Sequence, residues 1–198
     1  MPMSEENPWY LKGFRKARVA GAGWNLFKTA LHTSFFWSIF LFLIPWSISR
    51  LEISLGITPY VIPGPSWWPW IGFGVFGSFG LSTGAIMAYF GRGTPLPLDY
   101  PNQLVLVGPY RYVRNPMAIA GLTQGIFVGL YFGSYLTILY VIAGGIIWNV
   151  FARPPEEHHL ELEFGQPYRD YKAAVPCWIP RFSPYVAPSS ENDGGEEP

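Results

Sequence analysis

The chain has 198 residues, one domain's worth. Its make-up is 49% hydrophobic, 18% aromatic and only 13% charged, where a soluble domain carries about a quarter charged residues. Net charge is zero, so there is no basic field for nucleic acid and no nucleic-acid partner is expected. The one cysteine, Cys177, excludes an internal disulfide.

Residues Met1 to Asn7 are acidic, and no small-residue cleavage site follows an early apolar core, so the spans themselves are expected to direct insertion. From Trp9 to Lys28, Lys12, Arg15, Lys16, Arg18 and Lys28 alternate with Trp9, Tyr10, Phe14 and Trp24. Residues 1–30 therefore read as a cytosolic or interfacial segment, a mixture that also suits a plain positively charged flank. The membrane domain is expected over 31–182. A first span runs from Leu31 to Ile48, closed by Arg50 and Glu52. Ser54 to Ser66 is a proline- and glycine-rich loop. The Trp67-Trp68-Pro69-Trp70 cluster fits an interfacial aromatic belt before a second span from Trp70 to Phe90. In that span Gly72, Gly74, Gly77, Gly80 and Gly84 allow close helix approach. Gly91 to Val107 is polar and turn-rich. A third span, Met117 to Phe132, and a fourth, Tyr135 to Phe151, form a hairpin turned at Gly133-Ser134.

The predicted fold is thus all-α: an integral membrane bundle of about four helices with a cytosolic C-terminal helix and cofactor-binding loops. Of 13 lysines and arginines, only Arg50 flanks the side opposite the rest. That asymmetry puts both termini in the cytoplasm. Pro154-Pro155 can open a helix, with Glu156 and Glu157 complementing its dipole and Gly165 ending it. Tyr168 to Arg181 is amphipathic, and 183–198 reads as a disordered acidic tail.

Two polar clusters adjoin the last two spans: Gly108-Pro-Tyr-Arg-Tyr-Val-Arg-Asn-Pro116 and Arg153-Pro-Pro-Glu-Glu157. They are expected to meet at the cytoplasmic face around a small charged cofactor. A ligand such as S-adenosylmethionine needs carboxylates for its amine or ribose diol, rings for adenine, and glycines where backbone must come close. Glu156 and Glu157, Tyr110, and Gly91, Gly93 and Gly108 supply these. Asn115 offers both a donor and an acceptor. Taken singly, each has a plainer reading: twin glutamates as a solvated helix cap, the arginine-tyrosine run as a membrane anchor.

These clusters, followed by Phe164-Gly165-x-x-Tyr168-x-x-Tyr171, Val175-Pro176 and Ile179-Pro180-Arg181, resemble the membrane methyltransferases that include isoprenylcysteine carboxyl methyltransferases and phospholipid N-methyltransferases. The resemblance covers Gly91 to Arg181. It implies S-adenosylmethionine as methyl donor, covered by the C-terminal helix, and a lipid-like acceptor reaching it from the bilayer. Gly91-Arg92-Gly93 is similar to a glycine-x-glycine cofactor element, and Leu104, Val105 and Tyr110 correspond to pocket walls. Asn115, Pro116, Met117 and Ala118 stand at a histidine-proline-x-tyrosine element. Glu156 and Glu157 match the cofactor-binding acidic pair, and Arg153 lies near an arginine that faces an acceptor carboxylate. Asn115 and Ala118 depart from the family's histidine and tyrosine, which removes a group that titrates near neutrality and a cofactor-facing ring.

A carboxylate acceptor needs only a cation such as Arg153 for orientation, whereas an amine must lose a proton that a glutamate can take. No catalytic residue is assigned. His158 and His159 point apart on a helix, so no metal is expected. Gln124, Thr123 and Asn149 can line an acceptor cavity or bond between helices, and Cys177 and Trp178 read as membrane-facing packing. The expected partners are the acceptor and membrane lipids, in either a bacterial inner membrane or an endoplasmic-reticulum membrane. The competing readings are a sterol-reductase-like enzyme using NADPH and a non-enzymatic membrane protein. The first choice requires Tyr110 and Glu157 to wall one cavity.

Overall fold

The computed structural model describes residues 15–16, 22–92 and 99–188. Apart from one two-residue parallel pairing, Arg15–Lys16 with Asp99–Tyr100, the regular structure is helical. Helix α1 (Ala22–Trp37) passes through a π-helical stretch (Ser38–Leu43) into α2 (Ile44–Ser54). Then come α3 (Trp68–Phe90), a 3₁₀ turn (Gly108–Arg111), α4 (Pro116–Phe132) and α5 (Tyr135–Ile147). A second π stretch (Trp148–Ala152) joins α5 to α6 (Arg153–Phe164), and α7 (Gln166–Ala174) follows.

Three of these helical runs are long and apolar enough to cross a membrane: Phe27–Ser54, Trp68–Phe90 and Tyr135–Phe164. The 17-residue α4 is shorter, about 25 Å by helical rise. It nonetheless runs the same course. The end of α3, the start of α4 and the end of α5 border one cleft, through Met87, Asn115 and Trp148. At the other end Glu52 of α2 accepts the amide of Leu136 at 2.8 Å, covering one of the free donors at the start of α5. The turn expected at Gly133-Ser134 is present: Gly133 takes φ +62°, and the Ser134 hydroxyl accepts the Thr137 amide at 3.0 Å.

Small residues set how closely α3 and α4 approach. A Cβ on Gly77 would lie 2.9 Å from Gln124, and one on Gly80 3.1 Å from Ala120. One on Gly72 would run into the Phe127 ring, whereas Gly74 has open space around it and does not share in the packing. Gly72→Ala should therefore cost about 1–3 kcal/mol through overpacking and Gly74→Ala next to nothing. Thermal unfolding of the two variants in the same detergent checks the contrast.

The two π stretches share a cause. Each leads into proline, which has no amide to donate. In the first, the Ile44 amide bonds Ile39 O five residues back. Pro45 then leaves the Phe40 carbonyl open, and the Tyr140 hydroxyl takes it at 3.3 Å. In the second, the Arg153 amide bonds Trp148 O. Pro154 leaves the Asn149 carbonyl open, and Arg153 Nε donates to it at 3.4 Å. The chain does not start a new helix at Pro154-Pro155 as expected but carries on through a widened turn. Glu156 and Glu157 thus sit within a continuous run, without a free helix end beside them.

The tail boundary also moves. Tyr185, expected in a disordered segment from 183, is buried against Tyr171 at a ring distance of 5.5 Å. Its amide donates to Arg111 O at 2.8 Å, and its carbonyl accepts from Arg111 Nε at 2.7 Å. Residues 189–198, Gly93 and most of the N-terminal interfacial segment lie outside the described residues.

Candidate functional site

Helix α4 begins where sequence chemistry says it should. Asn115 is the N-cap, its Oδ1 accepting the Ala118 amide at 3.1 Å, and Pro116 fills the first turn where no amide is needed. Just before it, the 3₁₀ turn buries Tyr110, whose hydroxyl donates to Thr83 O of α3 at 3.2 Å. Tyr171 of α7 donates to Tyr110 O at 2.7 Å. These bonds dock the turn and the C-terminal helix onto the end of the bundle. Burial pushes both phenols above their ordinary range, so they act as neutral donors and walls.

Between these elements lies a cleft of about 550 Å³, its open mouth included. Tyr110 and Glu157 both line it, together with Leu104, Val105, Asn115, Arg153 and Glu156. Gly91 is not on the surface of the cleft. A Cβ there would meet Met87 O, Pro101 and Val105 at 2.5, 2.8 and 3.2 Å, so glycine lets the chain fold back behind the wall that Pro101 and Val105 form. Gly108 takes φ +57° to enter the 3₁₀ turn, and Pro116, Met117 and Ala118 continue into α4 without reaching the cleft.

The two glutamates divide. Glu157 is buried and ion-paired three times: to Arg114, to Arg153 at 3.2 Å and to Lys172 at 3.2 Å. Lys172 also holds Glu161 at 2.6 Å. Burial works against the Lys172 ammonium, but its bonds to Glu161 and Glu157 outweigh this and hold its pKa above the usual value. Glu156 lines the cleft with no ion pair or hydrogen bond among the described residues. Adjacent helical positions point about 100° apart, so one acid turns to the cations and the other stays available. Tyr168, over the same carboxylates, has its phenol pushed up by burial and then by Glu157.

Several lining residues were not proposed as site residues from sequence: Arg114, Met87, Pro101, Trp148 and Leu160, with Tyr168 and Tyr171 quoted only within the motif and Cys177 read as membrane-facing packing. Arg114 is the most consequential. Its Nε is buried without a hydrogen-bond partner among the described residues. The Gly108-to-Pro116 motif contains it, but Arg111, three residues earlier, turns instead to Tyr185. Cys177 borders the cleft rather than the membrane, and burial raises its thiol pKa. Trp178 packs edge-on to Trp148 and donates to Asn149 Oδ1 at 2.8 Å. Gln124 is fully buried between α3 and α4, away from the cleft, its amide 3.4 Å from Phe73 O. No group of three or more metal-ligating side chains occurs among the described residues.

No curated protein matches the chain. In a comparison with protein families, residues 69–167 match the phospholipid methyltransferase family. The match takes in α3, one span more than the resemblance read from the motifs, and ends at the first two residues of α7. It spans half the sequence and includes both polar clusters that border the cleft, so by the helices that build the site as well as by the residues in it, the chain belongs to the phospholipid methyltransferase family.

Proposed function

We propose that the protein transfers a methyl group from S-adenosylmethionine to a lipid-like acceptor at the cytosolic face of its membrane. The observation that carries this reading is the meeting of Tyr110, Arg114, Glu156 and Glu157 in one cleft at the end of the apolar bundle. Those residues fit the cofactor's chemistry. Tyr110, Tyr168 and Trp148 offer rings for a flat base, Glu156 a carboxylate for an amine or diol, and Arg114 Nε an unmet donor for a carboxylate. When bound, the cofactor supplies an electrophilic methyl on a sulfonium. The protein's part is to align donor and acceptor and keep them in line.

An amine-bearing lipid suits the cleft better than a carboxylate. Arg153, the cation expected to face an acceptor carboxylate, is already paired with Glu157. An amine acceptor needs no such cation, only a group to take the proton it must lose. Gly91 and Gly108 shape the cofactor loops in this reading, and Asn115 to Ala118 hold the start of α4 beside them.

Titration of the detergent-purified protein with S-adenosylhomocysteine and with NADPH tests the proposal. Micromolar binding of the first and none of the second is the expected result. Tight NADPH binding would turn the reading to a reductase, and binding of neither by folded protein would end it. Cys177 gives an independent readout, since it is the sole cysteine and borders the cleft. Its raised pKa keeps the thiol protonated, so maleimide labelling at pH 7 should be slow. Saturating S-adenosylhomocysteine should slow it at least about 5-fold by covering the site.

A further inference from the structure

Beyond α7 the chain forms a strap across the cleft end of the molecule. Three backbone bonds tie it to the turn before α4: Arg114 N to Pro176 O at 3.0 Å, Arg181 N to Tyr112 O at 2.9 Å, and Tyr185 N to Arg111 O at 2.8 Å. Its inward side chains are packed, Val175 completely and Tyr185 nearly so. Its outward ones are apolar and bare. Ile179 is 76% exposed, Val186 71%, and Phe182 is as exposed as a free side chain. A soluble surface has no reason to hold three apolar side chains out on a backbone fixed from within.

The depth of this strap can be read from its anchor. Trp178 packs on Trp148 with ring centroids 5.3 Å apart and bonds Asn149. Those residues belong to the helix whose neighbouring Ile146, Ile147, Val150 and Phe151 are 53–73% exposed and apolar, the lipid-facing surface of a membrane span. Arg153, where that helix turns polar, lies only four residues beyond Asn149, about 6 Å along the axis. Ile179 directly follows Trp178, so it stands at the level where the span leaves the hydrocarbon. Between Ile179 and Phe182 comes Arg181, whose guanidinium is held by Ala174 O and Ser183. A cation fixed between two bare apolar side chains at this level matches the boundary of a bilayer, where phosphates overlie acyl chains.

We propose that the strap from Trp178 to Val186 is a lipid-docking surface, inserting Ile179 and Phe182 into the bilayer with Arg181 at the phosphates. The occupant is membrane phospholipid, and the surface continues the lipid-facing side of α5. The inference does not depend on which ligand the cleft takes.

The test places spin labels at Ile179→Cys and Phe182→Cys, each in a Cys177→Ser background, in phosphatidylcholine/phosphatidylglycerol nanodiscs. Leu139→Cys on α5 serves as the in-membrane reference. Both strap labels should collide more often with oxygen than with a water-soluble nickel chelate, at a depth of about 5–10 Å below the phosphates. Preference for the nickel chelate at both positions would overturn the proposal. Unmodified protein gives a second measurement. A phospholipid carrying a diazirine near its headgroup should crosslink the peptide containing Ile179 and Phe182. Crosslinks confined to the spans would overturn the proposal equally.

Discussion

Glu156→Gln should weaken S-adenosylhomocysteine binding about 10- to 100-fold and leave the folded protein as stable as before. The side chain borders the cleft without an ion pair or hydrogen bond among the described residues, so nothing in the fold loses a partner when the acid becomes an amide. Burial, and then Glu157, push its pKa up to about 7, so the contrast is full only above that pH. A ligand amine or diol would lose one charge-assisted hydrogen bond, worth roughly 1.5–3 kcal/mol, and each 1.4 kcal/mol is about tenfold in affinity. Calorimetric titration gives the first quantity and thermal unfolding of the same sample the second. An affinity within about twofold of the parent would remove Glu156 from the site. A large fall in unfolding temperature would mean that it holds the structure.

Glu157→Ala should do the reverse, costing about 2–4 kcal/mol of stability. One carboxylate here contacts Arg114, Arg153 and Lys172, and its removal leaves the two guanidiniums facing each other without it, while Lys172 keeps Glu161. Breaking a buried pair costs about 3–5 kcal/mol. The side chains of Arg153 and Lys172 retain 27% and 35% of their exposure, so water screens part of that loss. Unfolding of the variant in detergent, with and without Arg114→Ala, measures the effect. If the double variant is no more stable than Glu157→Ala alone, the strain does not come from the unpaired guanidinium. Any loss of ligand affinity in Glu157→Ala should follow this rearrangement rather than a lost ligand contact, so Arg114→Ala, which also removes Nε, should lower affinity on its own.

The pattern of these expectations shows what could be read from residues alone. Spans were legible because apolar length is a strong signal: α3 and α4 were expected at Trp70 to Phe90 and Met117 to Phe132 and occur at Trp68–Phe90 and Pro116–Phe132. The hairpin turn was legible because only glycine sits easily at φ +62°. The meeting of Tyr110 with Glu157 followed from the helical hairpin expected between them, α4 leading away from the cleft and α5 returning to it. What one acid does against its neighbour was not legible, since it depends on which cations other elements bring, here Arg114 from the turn and Lys172 from α7. Nor was the burial of Tyr185, because a polar tail gives no sign that one tyrosine will complete a cluster formed by Tyr168 and Tyr171. Glycine count alone also misled at Gly74, which has the spacing of its neighbours but no partner.

The widened turn at Trp148–Ala152 has a bearing on how this helix tolerates change in length. A π turn holds one residue more than the α turn it replaces. Removing a residue there, Val150 for example, can relax the turn to ordinary winding while Glu156 keeps its heading relative to α5. The same deletion in α5 itself would swing everything downstream by about 100° and carry the acid off the cleft. The bulge is thus a slack loop in an otherwise taut rod, the place along it where the chain can shorten by one without losing aim.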